Sequence, residues 1–137
     1  MIIFRPSDKV RVQVGDVTVI MSPLISADRM KILDSLGTKV EAGQVGSSAG
    51  GYYEALRLSV KGIEAPGYEL SDGSPIQLEL DENGHLTSES LELLLAVLDN
   101  PKLIMIASNL LAKGLKNWEV EGVEIKGVEG DKPKKKA

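Results

Sequence analysis

The stretch that most constrains the fold is residues 10–21, VRVQVGDVTVIM. Val10, Val12 and Val14 alternate with Arg11 and Gln13, and Val17, Val19 and Met21 alternate with Thr18 and Ile20. A period of two in β-branched residues puts one set of side chains on one face of an extended strand. Gly15-Asp16, between the two runs, supplies the positive φ of a two-residue hairpin turn. The pattern predicts two antiparallel strands whose valines share a face, and that face must be buried against another layer.

Helical periodicity supplies candidates for that layer. Ser26 is a suitable N-cap, Asp28 complements the dipole of a first turn, and Met30, Ile32, Leu33 and Leu36 form an apolar stripe. Gly37 is a natural stop, so a helix is predicted over 27–36. Residues 37–51 hold five glycines and two serines. A compact domain seldom uses such a length as loop unless it is mobile or functional, and a flexible loop is expected there. Residues 52–63 fit two templates. Leu56, Leu58 and Val60 alternate as in a strand, whereas Tyr52, Ala55, Leu56, Ser59, Val60 and Ile63 share one helical face. The helical template gathers more positions, and strand is the alternative.

Farther along, Ile76, Leu78 and Leu80 alternate with Gln77 and Glu79 and predict a strand, followed by a turn at Asp81–Gly84. Thr87 is placed to cap a helix over 88–98, with Leu86 and Leu91 as its hydrophobic staple. Asn100 and Pro101 open a second helix, and its apolar residues recur until Gly114 ends it. Trp118, Val120, Val123, Ile125 and Val128 return to β character, with Gly122 at a bulge or bend. The expected fold is α+β: an N-terminal hairpin, a helical middle and one or two strands near the C-terminus, in a single domain over 1–130.

Charge is unevenly placed along the 137 residues. The formal net charge is −4, but Asp131–Ala137 holds four lysines and one acid, so residues 1–130 carry −7. An acidic body repels phosphate backbones and argues against nucleic-acid binding. The lysine-rich segment 131–137 reads as a disordered tail. The apolar start Met1–Phe4 is too short for a leader, and Leu103–Ile106 is too short to span a bilayer. Neither a membrane partner nor export is expected.

The composition narrows the chemistry. There is no cysteine, hence no disulfide, thiol nucleophile or cysteine-ligated metal, and His85 is the only histidine. The glycines of 37–51 are followed by Tyr52 and Tyr53, where a phosphate loop requires Lys and then Ser or Thr. The turn at 79–86 places Asp81, Asn83 and Gly84 as in a calcium loop, but Ser90 stands where the bidentate glutamate is needed. A turn entering a capped helix explains the same residues. His85 lies beside that turn, and Ser88 and Ser90 near it read as first-turn helix residues. Glu119, Glu121, Glu124 and Glu129 read as the solvent side of terminal strands. No catalytic residue, cofactor or metal ligand is assigned, and a non-enzymatic protein is expected.

In layout, three stretches resemble the small tail assembly chaperones of long-tailed bacteriophages: LRLSVKGIE (56–64), DENGHLTSESLELLLAVL (81–98) and NPKLIMIASNLLAKGLKNWEVEGVEIKG (100–127). The resemblance implies a protein of the host cytoplasm that coats the tape-measure protein, helps to recruit tail-tube subunits and is absent from the finished virion. It also implies a longer form made by ribosomal slippage, for which the codons of Lys134, Lys135 and Lys136 are the place to look. With helices over 88–98 and 101–113, a groove for an amphipathic partner helix is expected around Leu95, Leu98, Leu103, Ile106 and Leu110. Trp118 reads as a core anchor, with an interface anchor as the alternative. A homo-oligomer is compatible with this reading. A virion structural or completion protein and a small cellular protein-binding module are the competing functions.

Overall fold

The computed structural model describes residues 2–41 and 49–128. The hairpin forms as its alternation predicts. Strands β1 (Val10–Val14) and β2 (Val17–Met21) pair antiparallel, with Val10 opposite Met21, Val12 opposite Val19 and Val14 opposite Val17. This register places all six side chains on one face, and all are buried. Gly15 takes φ of +63° at the turn, a conformation that a Cβ would disfavour.

Two more strands widen the hairpin into an antiparallel sheet of order β3-β2-β1-β4. Strand β3 (Val60–Glu64) pairs with β2, and β4 (Val123–Val128) pairs with β1. Each outer pairing has one register shift, between Ile20 and Met21 and between Arg11 and Val12 respectively. The helices gather on the valine face. Ala55 and Leu56 of α2 (Ala49–Ser59), Leu94 of α3 (Ser88–Val97), and Leu103, Ile106, Ala107, Leu110 and Leu111 of α4 (Asn100–Lys113) join the valines in one core cluster. Helix α1 (Ser26–Glu41) contributes Ile32 and packs on α2.

The opposite face is polar, yet Ile20 and Thr18 on it are buried. The Arg11 guanidinium on β1 reaches across β2 to Glu64 on β3 with two hydrogen bonds of 3.0 and 2.6 Å. Ile20 stands opposite Arg11 and Thr18 opposite Glu64, so this ion pair crosses the strand that carries both residues. Thr18 donates to Gln13 Oε1 at 3.1 Å.

Several expectations about boundaries require correction. Helix α1 continues through Gly37 to Glu41, past the expected stop. A helix-interior glycine costs only about 1 kcal/mol relative to alanine, which neighbouring turns can absorb. The expected loop 37–51 is therefore helical at both ends, and its residues 42–48 lie outside those described. Residues 52–63 satisfy both templates in sequence: helix to Ser59, then strand from Val60. The junction is fixed by buried hydroxyls. Ser59 Oγ donates to Ser22 O at 2.6 Å, Ser22 N donates to Ser59 O at 2.8 Å, and Ser22 Oγ donates to Asp8 O at 2.7 Å. Gly62 lies within β3, opposite Ile20.

The strand expected at 76–80 does not form; Leu80 makes only an isolated bridge with Leu86. Glu79 N donates to Ser90 Oγ at 2.6 Å and Glu79 O accepts from Thr87 N at 3.1 Å, which ties the segment to the start of α3 rather than to a ladder. The cap of α3 is Thr87, as its spacing predicts. The cap of α4 is Asp99 and not Asn100: Asp99 Oδ1 accepts from Lys102 N at 2.9 Å, which moves Pro101 one position inward. The β character expected from Trp118 condenses into β4 after a turn at Gly122, where φ is +79°. Residues 131–137 lie outside those described.

Candidate protein-binding site

The two helices expected to form a groove, α3 and α4, face the sheet instead. Leu98, Leu103, Ile106 and Leu110 are buried in the chain's own core, so their contacts are already made within the fold. Leu95 is half-buried and packs against that core. Trp118 is half-buried as well, and its indole N–H donates to Gly114 O, one of the carbonyls left over at the end of α4. The six candidate partner-binding residues thus do not make one surface. Periodicity locates an apolar stripe without stating whether the partner is this chain or another.

A broad depression lies elsewhere. It has a volume of about 1000 Å³ and runs between the N-terminal segment and the end of α4. One wall is Ile2–Phe4 and Pro6 together with Pro23–Ser26, and the other is Ala112–Asn117 with Glu119. Phe4 packs on the core and holds the first wall, helped by Asp8, whose carboxylate accepts Arg5 N at 2.7 Å. Arg29 joins the walls. Its Nε donates to Leu111 O at 2.6 Å and its Nη2 to Ala112 O at 3.0 Å, supplying a cation and two donors at the negative end of the α4 dipole.

The second wall turns sharply. Gly114 takes φ of +72°, and Asn117 takes φ of +55°, the one non-glycine residue with positive φ among those described. Asparagine tolerates the left-handed region better than most residues. Lys113 Nζ donates to Asn117 O at 3.2 Å across this turn. A smaller depression shares Ile2, Phe4 and Leu115–Asn117 with the first and continues to Ile125–Gly127 of β4.

Three of the seven large apolar residues exposed among those described stand on the first wall, the others being Met30, Tyr68, Leu80 and Met105. Ile2 is 73%, Ile3 80% and Ile25 50% exposed, and all three line the same depression. Periodicity does not reveal them, because Ile2, Ile3 and Phe4 belong to no repeating apolar pattern and are too few for a leader. The signal present was two adjacent isoleucines before a proline, too short to alternate and with no periodic partner nearby.

A second cavity, of about 400 Å³, lies between α1, α2 and the 81–85 turn and is lined by charged groups. Asp28, Lys31, Glu54, Arg57 and His85 are the titratable groups among its lining residues. Arg57 forms a two-bond pair with Glu54 at 2.9 and 2.7 Å, which holds the Glu54 carboxyl below its ordinary range. Outside the cavity lining, Lys61 Nζ donates to Gly84 O of the 81–85 turn at 2.6 Å, and burial lowers its pKa. The Asp81 carboxylate accepts His85 N at 3.1 Å and Asn83 N at 2.8 Å, and these bonds lower its pKa. Asp81 therefore organises the turn, and Ser90 is buried with its hydroxyl on Glu79 N. Among the described residues no three His, Asp or Glu side chains cluster to hold a metal ion. The apolar depression is the better candidate site, because its exposed side chains lack internal partners that would account for their position. No family model, curated protein or solved structure matches this chain.

Proposed function

We propose that the chain is a non-catalytic assembly chaperone of a long-tailed bacteriophage. It works in the host cytoplasm, binds the tape-measure protein and helps to recruit tail-tube subunits. The observation that carries the protein-binding part is the depression walled by exposed Ile2, Ile3 and Ile25 in a chain that otherwise buries most of its large apolar residues. Exposed apolar surface gathered around a concavity marks interaction sites more often than scattered residues do. The tail-assembly part rests on the layout of residues 56–127. Among the described residues no helix is long and apolar enough to cross a membrane, which accords with a diffusible partner-binding role.

The test is co-expression with the tape-measure protein encoded in the same genome. A chaperone keeps that protein in solution and co-purifies with it, and mass spectrometry of purified virions does not find the chain. Stoichiometric copies in the particle would make it a structural or completion protein instead. His85→Ala is expected to retain full assembly activity; loss of activity without loss of fold would refute the non-catalytic reading.

A further inference from the structure

The chemistry of the depression specifies a class of partner. Its charged lining residues are Arg29, Lys113, Lys116 and Glu119, a surplus of two positive charges in a chain whose net charge is −4. Arg29 and Lys113 hydrogen-bond to backbone carbonyls, and among the described residues no carboxylate pairs with either. The adjoining depression adds Lys126, which is paired with Glu124 at 3.1 Å. An apolar wall thus faces a basic wall on an otherwise acidic molecule.

The neighbouring sheet edge does not offer the usual alternative of strand addition. In β4 the register shift falls at Lys126, next to Gly127 at φ of +136°. A bulge and a lysine on an edge strand are the devices that discourage another strand from pairing. Recognition therefore falls to side chains in the depression.

The geometry points to an acidic, apolar-anchored segment of another protein as the occupant of this depression. Its apolar side chains sit against Ile2, Ile3 and Ile25, and its Asp or Glu residues face Lys113 and Lys116. This inference rests on the protein-binding reading above and names the partner's chemistry.

The test uses the full chain and two labelled helical peptides. One carries leucines at i, i+3, i+4 and i+7 with glutamates elsewhere, and its twin has lysine in place of every glutamate. Net charge alone favours the lysine twin, so the order of affinity is diagnostic. The acidic peptide is expected to bind more tightly, and increasingly weakly as salt rises. The double variant Lys113→Glu, Lys116→Glu should weaken it by roughly five- to tenfold, while leaving the tail lysines in place. Ile25→Ser should weaken both peptides, and unchanged urea midpoints show that the variants fold. Tighter binding of the lysine twin, or an acidic peptide indifferent to the double variant, overturns the proposal. So does self-association that Ile3→Ser abolishes, because a second copy would then be the occupant. Soluble co-expression with the tape-measure protein, together with failure of the peptide test, would retain the chaperone and move its surface elsewhere.

Discussion

Truncating Leu110 separates a core helix from a partner-binding helix. Leu110 is fully buried in the cluster that joins α4 to the valine face. Leu110→Ala removes a buried side chain and leaves a cavity, at a cost of about 3 kcal/mol within a range of about 2–5. That is a large share of the roughly 5–15 kcal/mol that holds a domain folded. With a urea dependence of about 2 kcal/mol per M, the midpoint should fall by about 1.5 M. The melting temperature should fall by about 10 °C. Trp118 is the only tryptophan and sits half-buried at the end of the same helix, so its fluorescence follows the transition directly. Leu95→Ala is the matched control: half-buried, it should cost about 1 kcal/mol. Equal shifts for the two variants would refute the assignment of α4's inner face to the core. Loss of partner binding by Leu110→Ala at unchanged stability would restore the groove first expected there.

Three further outcomes follow from local geometry. Asp99→Ala should destabilise by about 1 kcal/mol in the same urea assay, and Asn100→Ala by less than about 0.5, because Asp99 is the cap. Ser59→Ala should cost about 1–2 kcal/mol by leaving Ser22 O without its hydroxyl partner. Acid should destabilise the fold. Glu64 is held below its ordinary value of 4.5 by the Arg11 hydrogen bond, and Glu54 by that of Arg57. A lowered carboxylate pKa contributes stability that is present above the unfolded value and is lost as pH falls through the folded value. Melting temperature should therefore decline as pH falls from about 4.5, and Arg57→Gln should make that decline shallower.

Much of the architecture was legible where one signal dominated. The valine alternation dictated the hairpin and its buried face, and Thr87 with Leu86 and Leu91 marked the start of α3. Misreadings arose where two local signals competed. Asp99 and Asn100 are both good caps, and only the backbone geometry chose between them. Residues 76–80 alternate like a strand, but strand formation needs a free neighbouring edge, and hydrogen bonds to Ser90 and Thr87 engage Glu79 first. The helix-to-strand change at Ser59 depends on Ser22, far off in sequence, and no local window contains that contact. The candidate site was the least legible. Ile2, Ile3 and Ile25 acquire meaning only when the chain folds them opposite Lys113 and Lys116.

The strand order carries a kinetic consequence. The edge strand β4 lies against β1, so Val10 waits for Val128, while the other neighbour of β1, β2, is available at once. During synthesis the hairpin can close early, but β1 keeps an unpaired edge until almost the whole described chain has emerged from the ribosome. That edge borders the most valine-rich segment of the molecule. The interval between translating residue 14 and residue 123 is therefore when this chain most needs protection from pairing with another nascent copy.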